Sequence, residues 1–229
     1  MDICKMVLLL AAATPKEIQP AIDAIAANND EPHHVEVLIT GVGSVAASYA
    51  LTKAINQCQP SIVIQAGIAG SFQPGLQTQV YAVDKDLFVD LGVWENDQFR
   101  SVFDLGFGDP NKFPFEDGHL KNPYHRLLTL TGLKAAAAIT VNEITTAPQS
   151  INRFNKIPGP LLESMEGAAL HYVCLNEGLP FIQLRAVSNK IGERNKAHWD
   201  ITGAVYQLNK ELLTLLNSLS LYDETYFRI

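Results

Sequence analysis

Residues Val7–Ala12 read Val-Leu-Leu-Leu-Ala-Ala, a run with no polar side chain to turn toward water on either face. Such a strand must be covered on both sides, which is the condition of a parallel sheet held between helices. A helix-start pattern follows at once. Thr14 stands at the N-cap, Pro15 at the first helical position, and Glu17 three residues after Thr14 completes a capping box. A rival reading makes residues 1–13 a short signal peptide, with Lys5, an apolar stretch and small residues at its end. The brevity of that stretch, together with Asp2, favours the buried strand.

The alternation continues along the chain. Apolar runs at 35–40, 61–66, 79–87, 135–141, 161–164 and 181–187 predict strands. Helical patterns fall at 15–27, 44–57, 165–176 and 204–219, the last with Val205, Leu208, Leu212, Leu215 and Leu219 on one stripe. Strand–helix alternation predicts the α/β class, with helices on both faces of one sheet. No linker or repeat divides the 229 residues, so one domain over 1–229 is expected. Residues 90–122, rich in Gly and Pro, are expected to be an irregular insertion, a candidate active-site flap.

Composition removes several classes of function. Hydrophobic residues make up 47% and charged residues 18%, enough for a large core and incompatible with disorder. The net charge is −7 without a basic cluster, so nucleic acid is not an expected partner. No run approaches the roughly 20 apolar residues of a membrane helix. Cys4, Cys58 and Cys174 are odd in number and widely spaced, as reduced thiols of a cytoplasmic protein would be. The histidines have no metal-ligand spacing, and neither metal nor cofactor is expected.

Two glycine turns follow strands. Thr40-Gly41-Val42-Gly43-Ser44-Val45-Ala46 has the letters of a dinucleotide fingerprint. The acidic residue that should hold a ribose about 20 residues later is missing, since no Asp or Glu lies between 47 and 83. A tight strand–helix turn explains these glycines better. The second turn, Ala66-Gly67-Ile68-Ala69-Gly70-Ser71, lets backbone approach a ligand at a strand's carboxyl end.

Two further segments carry chemistry. Glu163-Ser164-Met165-Glu166-Gly167-Ala168-Ala169 leads a short strand into a helix whose first turn holds Glu166, a carboxylate able to accept two hydrogen bonds from a sugar diol. Leu184-Arg185-Ala186-Val187-Ser188-Asn189-Lys190 places polar Ser188 and Asn189 at the end of an apolar strand.

These motifs, in this order and together with Glu17, resemble the nucleoside phosphorylase and nucleosidase superfamily. The resemblance spans about residues 6–219 and is weakest over 84–134. It implies a three-layer α/β/α sandwich around a mixed, mostly parallel central sheet. Within the superfamily, E-S-M-E-G-A-A with S-N-K-I-G-E-R is most similar to the futalosine hydrolases, which cleave hypoxanthine from futalosine in menaquinone biosynthesis. The methylthioadenosine/S-adenosylhomocysteine nucleosidases, which release adenine, are nearest in mechanism and are the alternative.

The resemblance implies roles position by position. Glu17 activates water, and Glu166 binds the ribose hydroxyls with Met165 packed on the sugar. Gly67, Ile68 and Ala69 line the pocket with Ser188. Thr145 stands near the place of the usual aromatic stacker, leaving Phe72 or an aromatic of 90–122 to cover the base. Asn189 stands where adenine-releasing relatives carry Asp. An amide cannot deliver a proton but can donate to N7 and to a 6-oxygen, which points to hypoxanthine. Arg185 is expected behind Asn189, orienting it. Lys190 or Arg194 is expected to meet the benzoate of futalosine, with Trp199 beside its ring. Residues 40–83 contain Lys53 as their one cation, so water rather than phosphate is the expected nucleophile. The partners implied are a nucleoside and water, in a homodimer or homotetramer.

Overall fold

A computed structural model of the chain describes residues 5–28, 33–157 and 161–228. Cys4 and the first residues of the N-terminal reading lie outside the described residues. The first strand, β1 (Val7–Ala12), leads into α1 (Pro15–Ala27), followed by β2 (His34–Ile39), α2 (Ser44–Cys58), β3 (Ile62–Ser71) and β4 (Val80–Asp86). A hairpin of β5 (Gly92–Glu95) and β6 (Gln98–Ser101) comes next, then β7 (Leu120–Lys121), α3 (His125–Leu130) and β8 (Lys134–Thr140). The chain ends with α4 (Pro148–Phe154), β9 (Leu161–Ser164), α5 (Gly167–Glu177), β10 (Phe181–Lys190) and α6 (Ile201–Leu219).

The central sheet is mixed. β3 pairs in parallel with β1 and β10, and β1 with β2. β4 is antiparallel to β10 and parallel to β8, and β8 is parallel to β9. The far end of β3 also pairs with β9, antiparallel, at Gly70 and Ser71. β3, β10, β4, β8 and β9 therefore close into a ring, while β1 and β2 extend beyond it. Helix α1 packs with α6, and α2 with α5. The core between them is apolar: Leu8, Leu10, Ile62, Ile64, Phe181, Leu184, Leu208 and Leu212 are fully buried. This is the α/β sandwich that the strand–helix alternation implies.

The stretch at 90–122 is more ordered than its composition predicts. Its hairpin turns on Asn96 and Asp97, both at positive φ, the tight turn that matches strand twist. Trp94 and Phe99 pair across it edge to face, with ring centroids 5.8 Å apart. None of these residues reaches the main cleft; Leu91, Trp94 and Phe99 line a neighbouring cavity of about 470 Å³ with Asn142, Thr145 and Arg153. That cavity shares Ile144 with the main cleft. Helices α3 and α4 were not foreseen because each spans under two turns, too short for periodicity to register.

Candidate active site

The carboxyl ends of β1, β3 and β10 open into a cleft of about 390 Å³. Open α/β sheets bind ligands at this end. Glu17, Ile68, Ala69, Met165, Glu166, Ser188, Asn189 and Arg194 all line it, joined by Gly70, Glu163 and Trp199.

Glu17 occupies the third position of α1. Thr14 donates from both N and Oγ1 to Glu17 Oε2, each at 3.0 Å, so the cap that starts the helix also aims its carboxylate. Ile68 N donates to Oε1 at 3.0 Å, tying that carboxylate to β3. One turn on, Pro20 interrupts α1. Asn209 of α6 spans the disturbed turn: its Oδ1 accepts from Ala21 N at 3.0 Å and its Nδ2 donates to Glu17 O at 2.8 Å. Asn209 is buried, so both bonds are sheltered from water.

Glu166 is the N-cap residue of α5. Gly43, the N-cap of α2, donates its N–H to Glu166 Oε1 at 2.8 Å. A carboxylate at the N-terminal end of a 15-residue helix is favourably placed in the helix field. Gly43 has φ +96, a conformation that L side chains rarely adopt, so the turn that delivers this N–H requires glycine. Ser44 Oγ fastens the same turn to Met165 O at 3.2 Å. The other Glu166 oxygen receives no hydrogen bond from the described residues, leaving it for a ligand.

A buried polar chain beneath α5 holds Glu166 in place. The first amides of the helix would lack partners, but Gly167 N donates to Ser164 Oγ and Ala168 N to Thr140 Oγ1. Thr140 in turn donates to Asp86 Oδ1, and Gln183 Nε2 donates to Asp86 Oδ2. A Cβ on Gly167 would lie 2.2 Å from both Asp86 Oδ2 and Gln183 Nε2, so only glycine fits there. Burial pushes the Asp86 carboxyl up to about 6, and the same burial pushes His171 down to about 4.

Arg185 departs from expectation. It is 1% exposed and does not line the cleft. Its Nη2 donates to Gln65 Oε1 at 2.6 Å, and its Nη1 lies against Gly67 on the side where Glu17 Oε1 also sits. It therefore stands behind Glu17 rather than behind Asn189. The reason is a register shift in β10 between Val187 and Asn189, which breaks the side-chain alternation that would keep Arg185 and Asn189 on one face. Asn189 is positioned instead by Ser188, whose Oγ donates to Asn189 Oδ1 at 2.8 Å, while Asn189 Nδ2 donates to Lys190 O at 3.1 Å.

Gly67 is likewise behind the wall, where its missing side chain admits the guanidinium. Thr145 is buried and turned away, donating its N–H to Glu163 Oε1 at 3.1 Å; Ile144 faces the cleft in its place. Phe72 stacks edge-on against Phe154 and does not cover the cleft. Lys190 also lies outside it, whereas Arg194 lines it, its guanidinium 5.5 Å from the Trp199 ring centroid. Sequence reasoning missed the anchoring role of Gly43, the bridge made by Asn209, and Glu163 as a wall residue. A charged residue inside Leu-Leu-Glu-Ser was the available signal for the last. Among the described residues, no group of three or more His, Cys, Asp or Glu is placed to hold a metal ion, and no helix is long and apolar enough to cross a membrane.

Residues 31–219 match the family model described as Phosphorylase superfamily. Futalosine hydrolase of Thermus thermophilus is 32% identical over 183 residues, covering 78% of this chain and 80% of that protein. The 5'-methylthioadenosine/S-adenosylhomocysteine nucleosidase of Geobacillus thermodenitrificans is 26% identical over 171 residues, covering 72% and 70%. The structure of futalosine hydrolase of Helicobacter pylori strain 26695 aligns over 93% of this chain and 98% of its own, with a TM-score of 0.76 and 17% identity, a likeness of fold.

Proposed function

The chain belongs to the phosphorylase superfamily, and from that footing we propose that it hydrolyses the N-glycosidic bond of futalosine, releasing hypoxanthine and dehypoxanthine futalosine. The observation that carries the reading is the pairing of Glu17 and Glu166 in one cleft, each held by a backbone N–H from a different part of the chain. A nucleosidase needs that arrangement, with one carboxylate to prime water and another to hold the sugar. The greater likeness to futalosine hydrolase than to the adenine-releasing nucleosidase supports the choice of substrate.

Glu17 takes a proton from water as the oxygen attacks C1′. Its two oxygens keep further acceptor sites beside the bonds they already receive. Glu166 accepts from the ribose 2′ and 3′ hydroxyls, with Met165 against the sugar, and its charge favours the oxocarbenium-like transition state. Asn189 donates to the edge of the departing 6-oxopurine. The buried Arg185 packs behind Gly67 on the side where Glu17 Oε1 sits. At the start of α2, where an anion such as phosphate would be drawn, the chain's own Glu166 occupies the amide, and the one cation of 40–83, Lys53, is exposed on that helix. Both points support water as nucleophile.

Arg194 and Trp199 at the rim suit the aromatic carboxylate of the substrate. Val42, Val45 and Tyr49 near the mouth are exposed, Val45 to 82%, which supports a second copy covering them in a homodimer or homotetramer. The test is a side-by-side assay of purified protein on futalosine, inosine and methylthioadenosine. Release of hypoxanthine from futalosine is expected; rapid adenine release without hypoxanthine release overturns the proposal.

A further inference from the structure

Asn189 leaves a chemical gap. Its amide can hydrogen-bond a leaving base but cannot give it a proton, and the nucleosidase reading assigns no other group to that task. Glu163 stands across from it. In the sheet, Glu163 of β9 and Asn189 of β10 are both register partners of Gly70 in β3. Lateral partners project to the same face of a sheet, and all three residues line the cleft. Two strand spacings, roughly 10 Å, separate the carboxyl-bearing and amide-bearing positions. Gly70 between them has no side chain, and a Cβ there would meet Ile191 Cγ1 at 2.8 Å and Asn189 Nδ2 at 3.5 Å. The Ile191 side chain lies over Gly70, with the amide position on one side of that glycine and the carboxyl position on the other.

The two oxygens of Glu163 differ. Oε1 accepts from Thr145 N at 3.1 Å, whereas Oε2 is buried without a hydrogen-bond partner. Glu163 as a whole is 7% exposed. A bare buried carboxylate oxygen is costly. A protonated one, on a residue that lines the cleft, is a donor without an acceptor.

We propose that Glu163 is the proton donor to the leaving purine, acting on the edge of the base away from Asn189. This rests on the nucleosidase reading above. The C1′–N9 bond breaks with its electron pair passing to the base, and the Glu163 proton passes to an acceptor atom of that base. Water adds its oxygen to C1′ and gives a proton to Glu17. Glu17 then releases a proton to solvent and Glu163 recovers one, which restores the enzyme. Desolvation raises the Glu163 carboxyl above its ordinary range, against the lowering effect of the Thr145 bond, and the Asp90 charge adds to the rise. The other ionisable groups on the cleft wall are Glu17, Glu166, Glu193, Lys16 and Arg194.

The test compares two leaving groups. Futalosine needs its base protonated, whereas 4-nitrophenyl β-D-riboside releases a stable phenolate. Glu163→Gln keeps an acceptor for Thr145 N and removes the proton. It should slow hypoxanthine release by about 10²–10⁴-fold, the range of general acid catalysis, while nitrophenolate release stays within about threefold. The wild-type pH profile gives a reading that depends on no variant: kcat/KM on futalosine should fall on an alkaline limb that the nitrophenyl substrate lacks. Equal loss on both substrates, or identical alkaline limbs, overturns the proton-donor role while leaving the nucleosidase reading intact. If the wild type cleaves neither substrate, that reading falls and the proposal falls with it.

Discussion

The inner wall of the cleft and its rim are built by opposite means. On the inner wall, Glu17 and Glu166 are held by amides far away in sequence, Ile68 and Gly43 respectively. On the rim, residues 193–199 satisfy one another locally. Asn195 N and the His198 ring bond to the Glu193 carboxylate, and Trp199 Nε1 donates to Glu193 O at 3.0 Å. Long-range anchors cannot shift without disturbing the sheet, whereas a locally bonded loop can move as a piece. Groups that need fixed geometry for bond breaking therefore sit on strand and helix ends, and groups that meet the variable part of a ligand sit on the rim.

The contrast can be tested from its strongest consequence downward. Glu17→Gln can keep an acceptor for Ile68 N but then turns an NH2 toward Thr14 N, and it cannot take a proton, so kcat should fall by about 10²–10⁴-fold while loss of the cap lowers stability by about 0.5–2 kcal/mol. A rate within tenfold of wild type would remove Glu17 from the chemistry.

The support beneath the inner wall should appear in the pH dependence of stability. The Asp86 carboxyl is held at about 6 when folded, above its unfolded value. The native state therefore keeps a proton that the unfolded state loses between about pH 4 and 6. Asp86 alone thus lowers stability as pH rises through that window, by about 2–3 kcal/mol. His171, held at about 4, works in the opposite direction. Its folded form is neutral where the unfolded form is charged, so stability rises between about pH 4 and 6.5. Asp86→Asn should consequently gain stability relative to wild type as pH rises from 4 to 7, read by urea denaturation at several pH values. Parallel pH curves for the two proteins would contradict this.

Gly67→Ala places a Cβ 2.2 Å from Arg185 Nη1. Displacing a buried guanidinium should destabilise the fold by about 1–3 kcal/mol and lower kcat through Glu17, measured by thermal melts and single-turnover rates. A variant with wild-type kcat would separate Arg185 from Glu17. The smallest effect belongs to the rim: Trp199→Ala removes an exposed cation–π contact with Arg194 worth about 0.5–1 kcal/mol. KM for futalosine should rise about two- to fivefold, with kcat nearly unchanged. A large fall in kcat here would erase the distinction between wall and rim.

What could be read from the sequence follows the range of each interaction. β1 and α1 were legible because Val7–Ala12 and Thr14–Glu17 state their needs within a few residues, and the capping pattern that predicted α1 also aims Glu17. The hairpin at 92–101 was missed because its signal is confined to Asn96-Asp97, hidden among other turn residues. Arg185 was placed on the wrong partner because a bulge one turn of alternation later is not written in the apolar pattern. The use of Gly43 by Glu166 joins residues 123 positions apart, and Asn209 reaches Glu17 across 192. Local periodicity carries no information on such pairs, so the glycine turn looked merely tight and the asparagine merely polar.

β3 hydrogen-bonds to β1, β10 and β9, and it carries Ile68, Ala69 and Gly70 into the cleft. A strand braced by three ladders is a keystone: it cannot lift at one edge to greet a larger guest. The floor under the nucleoside is therefore preset, and whatever tolerance the protein has for differently decorated sugars must be found above it.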